Sequence, residues 1–488
     1  MPPDFSCEDD LDPRDWPAFR AQAHAMLDDI LDHVQGVRDR PVWRPPPATR
    51  PPSLSAPAPT RPAPLADIHA DFLRDIVPFE AGNLHPRFVG WVHGAGTVVG
   101  LAAEMLAAGL NANLGGRWQS PIEVERQVAR WMAELTGLPE TSSGLFVTGA
   151  SMANFVAVLV ARTAALGLAS RFQGVASAQG RLRAYASEAA HNCIARAMEM
   201  AGLGSDGLRL INTDPTGAMD YVSVEEAIAE DRAAGLQPFL LVGTAGAVDT
   251  GAIDDLAVLA EIAARNGLHF HVDGAIGALG VMSPELKPLF EGIERADSIA
   301  FDFHKWGQVP YDAGFVLMRD PERHMAAFAS PAAYLGRAER GLAAGSPWPC
   351  DFGPDLSRGF RALKVWFTLR AYGTRRLGQV MANTCRLAAR LAARIVAEPE
   401  LELLAPAPLN IVCFRYRAGE DSDRVNAELV IQLQEQGIAA PSSTRIHGCF
   451  AIRAAIVGHR TRAEDIDALV EAVLTLGRRL SSASPASL

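Results

Sequence analysis

The chain lacks the marks of several protein classes. Its six cysteines, Cys7, Cys193, Cys350, Cys385, Cys413 and Cys449, are scattered and form no CxxC pair, so neither a disulfide framework nor a thiolate metal cluster is suggested and a reducing cytoplasm fits. No long basic run occurs, and a formal net charge of -11 with a pI near 5.6 argues against non-specific binding to nucleic acid or to an anionic membrane. The N-terminal residues are acidic and proline-containing rather than basic and then apolar. No segment runs about twenty residues without charge or glycine, so neither export nor membrane insertion is expected. There is no internal repeat.

What the chain has is bulk and periodicity. Its 488 residues, 49% of them hydrophobic, allow a large core and two or three domains. Between Asp15 and Val34, the residues Phe19, Ala23, Met26, Leu27, Ile30, Leu31 and Val34 recur at helical spacing, with Asp15 placed as a cap and Pro17 in the first turn, which predicts an amphipathic helix. Pro41 to Pro64 is proline-dense and predicts an extended surface crossing; Leu65 to Ile76 is helix-prone. This arm, residues 1–81, has too little core to fold alone, so it packs on another subunit or back on its own chain.

Across residues 82–358, short apolar runs at Phe239–Val242, Leu268–Val272, Ser298–Phe301 and Phe315–Met318 read as buried strands, and Leu256–Asn266 between two of them reads as a helix. This is α/β organisation around a mainly parallel sheet, with ligands expected at the carboxyl ends of the strands. Residues 359–488 read as a small α+β domain. It has a helix from Gly359 to about Val396, strands at Ile411–Tyr416 and Phe450–Val457, helices at Asp423–Gln436 and Ala463–Leu476, and a disordered tail after Leu480.

Two strand ends carry chemistry. Lys305 sits in Asp302-Phe303-His304-Lys305-Trp306, and Asp273 ends the run His269-Phe270-His271-Val272-Asp273. A lysine amine that forms a Schiff base and a carboxylate that pairs with a pyridinium nitrogen suit pyridoxal phosphate. The turn Thr148-Gly149-Ala150-Ser151-Met152-Ala153-Asn154 opens an apolar helix, where backbone amides and a hydroxyl hold phosphate; such turns are also common packing devices. The HxHxD run equally fits a zinc or di-metal hydrolase, or strand histidines with ordinary hydrogen bonds. His191, after the run Leu182–Ala186, is placed either to stack on a cofactor ring or to cap the next helix.

Taken together, these residues resemble the group II pyridoxal-phosphate-dependent amino-acid decarboxylases. The resemblance also takes in His85-Pro86-Arg87-Phe88, Ser120-Pro121 with Glu125, Thr244-Ala245-Gly246, His271-Val272-Asp273-Gly274-Ala275 and Phe360-Arg361-Ala362-Leu363-Lys364-Val365-Trp366. It implies a fold type I, aspartate-aminotransferase-like large domain and a homodimer with shared active sites. By position it implies that Lys305 bonds the cofactor, that Asp273 faces its pyridine nitrogen and that His191 stacks on its ring. Ala150 and Ser151 would hold the phosphate, with Thr244, Ala275 and His304 alongside. Trp91 and His93 would line the substrate pocket. Arg453 would stand at its far end, or else be a sheet-edge arginine with a surface carboxylate partner.

Two departures stand out. Thr244-Ala245-Gly246 is followed by Ala247-Val248 where relatives carry a hydroxyl, leaving Thr244 or Thr250 as substitutes. Gly336–Asp355 corresponds to the family's mobile catalytic loop, yet Trp348-Pro349 stands in the place of its catalytic tyrosine. Tyr334 and His191 are the expected replacement proton donors. The expected activity is decarboxylation of an L-amino acid to its amine. An aldehyde synthase or other lyase on the same fold, a metal-dependent hydrolase and a non-catalytic binding relative are the alternatives.

Overall fold

The computed structural model describes residues 11–176, 180–330 and 336–482. Twelve strands run in chain order as β1 (Phe88–Val89), β2 (Ser143–Val147), β3 (Leu182–Ser187), β4 (Leu208–Ile211), β5 (Gln237–Thr244) and β6 (His269–Asp273), then β7 (Ser298–Asp302), β8 (Gly314–Met318), β9 (Leu401–Leu403), β10 (Ile411–Tyr416), β11 (Ala440–Ile446) and β12 (Cys449–Ala455). Seven form the large sheet in the order β2-β8-β7-β6-β5-β3-β4, in which β8 alone runs against its neighbours. The expected mainly parallel sheet is thus present, with one reversed strand. Its central strands are buried along their whole length, as helices packed over both faces require.

Punctuation residues set the helices around it. Asp255 accepts the amide of Val258 and starts the helix Leu256–Asn266, and Asp15 accepts that of Ala18 at the head of Trp16–Gln35. The arm is less extended than its prolines predict, because Pro51 and Pro52 set up a single helical turn at Pro52–Ser55. The long helix Arg361–Ala397 breaks at Gly373, whose φ of 72° lies where only glycine sits without strain.

The small sheet follows the order β1-β11-β12-β10-β9. Its outer strand β1 comes from residues ahead of the large sheet and pairs in parallel with β11. No described helix is long and apolar enough to cross a membrane. Cys7, Tyr334 and the residues after Ser482 lie outside the described residues, and with them the expectation of a disordered tail.

Candidate active site

A cavity of about 620 Å³ opens at the carboxyl ends of β5, β6 and β7, against the small sheet. Among its lining residues are eleven that the sequence singles out: Lys305, Asp273, His191, Ala150, Ser151, Thr244, Ala275, His304, Trp91, His93 and Arg453. Of the substitute hydroxyls, Thr244 lines the cavity, while Thr250 accepts the amide of Ala252 in a turn.

Lys305 follows β7 by three residues, and its Nζ lies 2.9 Å from Asp302 Oδ2. Burial alone would lower the pKa of this amine, but Asp302 and Asp273 together raise it, so the structure holds an ammonium. The other oxygen of Asp302 accepts Ala150 N at 2.7 Å, in the first turn of the helix Ala150–Leu166. Gly94 packs against this segment: a Cβ there would lie 2.1 Å from the carbonyl oxygen of His304.

Asp273 ends β6 wholly enclosed, and burial pushes its pKa up. Ala275 N donates to its Oδ1 and Asn154 Nδ2 to its Oδ2, each at 3.1 Å. His191 both lines the cavity and caps the next helix, since its Nδ1 accepts Cys193 N at 3.2 Å. Burial pushes its pKa down, so the ring is neutral with its proton on Nε2. His304 Nδ1 accepts Ala313 N, and its ring lies on Tyr311 with centroids 4.4 Å apart.

Two open readings are decided. His269 and His271 do not converge on an ion: Ser298 Oγ lies 2.8 Å from each imidazole, and His271 also meets Asn154. Among the described residues, no group of three or more His, Cys, Asp or Glu is arranged to hold a metal. Arg453 is not at a sheet edge, since β12 is the middle strand of five, and among the described residues its hydrogen bonds go to no carboxylate. It is buried, donating to the carbonyls of Trp91, Val248 and Asp249 and to Ser442 Oγ. Trp348 is buried too, bonded to the Ala344 carbonyl with the Arg337 guanidinium 3.5 Å above its ring.

Sequence reasoning passed over Asp302, Asn154, Asp249 and Tyr311, all close to the cavity or lining it. The carboxylate three residues before Lys305 was the available signal, because residues at the end of a buried strand face the same cavity as the residues that follow.

A lysine and an enclosed carboxylate at neighbouring strand ends, below a helix amino terminus, define a pyridoxal-phosphate-binding α/β enzyme. Residues 47–417 match the pyridoxal-dependent decarboxylase conserved domain, and the chain belongs to that family. It is a pyridoxal-phosphate-dependent decarboxylase. An aromatic-L-amino-acid decarboxylase of Bacillus atrophaeus is 31% identical over 82% of this chain and 83% of its own. A phenylacetaldehyde synthase of Arabidopsis thaliana is 30% identical over 91% and 93%. The solved structure of Oryza sativa TDC with PLP and tryptamine superposes with a TM-score of 0.88 at 26% identity, covering 97% of this chain and all of that one.

The residues present fit the cofactor: an amine for its aldehyde, an enclosed carboxylate for its ring nitrogen and a helix amino terminus for its phosphate. Once bound, pyridoxal phosphate supplies the electron-withdrawing ring that lets a bond at the amino-acid α-carbon break.

Proposed function

We propose that this decarboxylase acts on an aromatic L-amino acid and releases mainly the amine. One observation carries the substrate class: a cluster of rings at the cavity, lined by Trp91, His93 and Tyr311 with Phe88 packed behind them. Phe88 lies parallel to His93 at 5.7 Å and His93 to Trp91 at 5.8 Å, with Tyr311 edge-on to His93 at 5.9 Å. Such a wall favours a flat apolar side chain, and the relatives named for aromatic substrates support the same reading.

In this reading Lys305 would hold the cofactor through its amine, giving up the proton that Asp302 keeps on it. Asp273 holds a proton on the pyridine nitrogen. Ala150 and Ser151 hold the phosphate, with Thr244, Ala275 and His304 beside them. His191 would stack on the ring, with Nε2–H left free by its Nδ1 bond to Cys193. Arg453 spends four of its five N–H groups within the protein and keeps one on Nη2 for substrate.

The protein works as a homodimer in the cytoplasm. Exposed Phe19, Met26, Ile68, Phe72, Met105 and Leu110 on the helices near the N-terminus support this by leaving an apolar face for a second copy.

A minor aldehyde product follows from buried Trp348 standing where relatives carry a loop tyrosine. With Tyr334 and His191 as the substitute donors, slow protonation of the α-carbon lets oxygen intervene and yields aldehyde, ammonia and peroxide. The test is a product screen of the holoenzyme against the L-amino acids, following carbon dioxide, amine, aldehyde and peroxide together, with Lys305→Ala as the inactive control. Amine from an aromatic substrate is expected. Turnover confined to acidic or aliphatic substrates, or aldehyde as the main product, overturns the reading.

A further inference from the structure

Behind Asp273, polar side chains line up through the interior of the large sheet. Asn154 Nδ2 donates to Asp273 Oδ2 at 3.1 Å, and Asn154 Oδ1 lies 2.6 Å from His271 Nε2. His271 Nδ1 is 2.8 Å from Ser298 Oγ, and Ser298 Oγ is 2.8 Å from His269 Nε2. The two-residue period of β6 puts His269, His271 and Asp273 on one face, Ser298 pairs with His271 across the β6–β7 register, and Asn154 comes from the helix lying on that face. Asn154, His271 and Ser298 are fully buried.

With Asp273 ionised, every link has one direction. A carboxylate only accepts, so the Asn154 amide turns its NH₂ toward Asp273 and its oxygen toward His271. His271 therefore carries its proton on Nε2, which leaves Nδ1 to accept the Ser298 hydroxyl. That hydroxyl oxygen in turn accepts the Nε2 proton of His269. Burial keeps both rings neutral by pushing their pKa values down, that of His271 to about 3. The line ends at His269 Nδ1, which has no hydrogen-bond partner among the described residues. His269 borders a separate cleft of about 700 Å³ at the opposite end of the strands, beside Asp297, Arg319 and Arg323.

We infer that Asn154, His271 and Ser298 are positioning residues that hold Asp273 through one directed line of hydrogen bonds, with His269 as its outer end. The inference rests on reading Asp273 as the partner of the cofactor's ring nitrogen. If His271 carried its proton on Nδ1 instead, the amide would have to reverse, setting its oxygen against the Asp273 carboxylate. One bond would be lost and a repulsion gained at the group that must hold the ring-nitrogen proton. The Ser298 hydroxyl, three links away, completes the tautomer that keeps the Asn154 donor on that carboxylate.

Nitrogen-15 histidine spectra of the full-length protein, with and without pyridoxal phosphate, test this directly. Neutral His271 and His269, each protonated on Nε2, are expected, with the signals assigned from His269→Phe and His271→Gln. Ser298→Ala removes a middle link without touching Asp273. It should leave His271 Nδ1 without its hydroxyl partner, move the nitrogen-15 signal of that atom while Nε2 stays protonated, and lower kcat roughly three- to tenfold at unchanged KM, the worth of one net hydrogen bond. Ser298→Thr keeps a hydroxyl and should restore the wild-type signal. His269→Phe, which shortens the line by its last member, should leave the His271 tautomer intact and serves as a second variant if Ser298→Ala misfolds. A His271 protonated on Nδ1 in the wild type, or a Ser298→Ala protein with an unchanged Nδ1 signal and kcat, overturns the inference. Failure of the Asp273 reading looks different: Asp273→Asn would leave kcat and the cofactor spectrum unchanged while the wild-type tautomers stayed as assigned.

Discussion

Lys305 Nζ and the Asp302 carboxylate lie 2.9 Å apart, while the second oxygen of that carboxylate holds the Ala150 amide at the helix amino terminus. One side chain therefore keeps the lysine charged and occupies a phosphate-side donor.

Asp302→Asn should lower the pKa of Lys305, because the chief neighbour that raises it is neutralised. Covalent capture of pyridoxal phosphate by the cofactor-free protein needs the uncharged amine. Its rate near neutral pH should rise, and the midpoint of its pH profile should move down. Stopped-flow absorbance measures this, and an unmoved profile contradicts the role given to Asp302.

Asp273→Asn should reduce kcat on the order of 10²–10³-fold, the usual cost of removing one aimed electrostatic group, with cofactor affinity little changed. Full turnover at saturating cofactor contradicts it.

Glu125→Gln should destabilise the fold by about 3–5 kcal/mol, since it leaves a buried charge unpaired. Arg358 is almost wholly buried, pairs with Glu125 at 2.6 Å and donates to the carbonyls of Leu114 and Phe146. Urea unfolding of the variant beside the wild type gives the difference; a loss under 1 kcal/mol, the order of an exposed pair, would mean that the pair is solvated.

Acid should weaken the protein from pH 6.5 downward. Burial pushes His271 and His324 to about 3 and His85 and His459 to about 4. Each is depressed relative to the unfolded chain, so its contribution is complete above 6.5 and is lost as the pH falls toward its folded value. Asp254, pushed up to about 6 by burial, works in the opposite sense: its contribution is present below its unfolded value of 3.8 and is lost as pH rises through 6. Asp273 and Glu80 are raised by burial in the same sense as Asp254, but the histidines pushed down outnumber these acids and set the net sign. His324→Phe, remote from the cavity and packed against Phe352, should flatten the decline in unfolding experiments between pH 7 and 4.5. A decline equally steep in the variant would place the sensitivity elsewhere.

Removing residues 1–64 should cost the protein its dimer or its solubility, because the first helix buries no residue against its own chain. Sedimentation of the truncated protein decides it: a soluble, active monomer refutes the shared arm.

Where the sequence punctuates itself, the fold is legible. The helix Leu256–Asn266 falls between a capping Asp255 and Gly267, and Ile411–Tyr416 is an apolar run, interrupted only by Arg415, that pairs on both sides. β11 was not legible, since Ala-Pro-Ser-Ser-Thr-Arg-Ile carries little apolar alternation and owes its strand form to the partners on either side. Lys305 and Asp273 stand out by residue type at strand ends. Asp302 and Asn154 do not, because their partners arrive from distant parts of the chain through sheet and helix packing. Arg453 carried two readings for the same reason: strand order, which decides whether it is central or at an edge, is not written locally.

The pairing of Phe88–Val89 with Ala440–Pro441 also bears on synthesis. The edge of the small sheet leaves the ribosome early, and the strand that accepts it is made near the end, so this sheet closes only after the large one has had time to form. A fragment starting at residue 359 would present β11 with an unsatisfied backbone edge, open to pairing with other chains. The last part of the protein to be made is therefore the part least able to fold without the first.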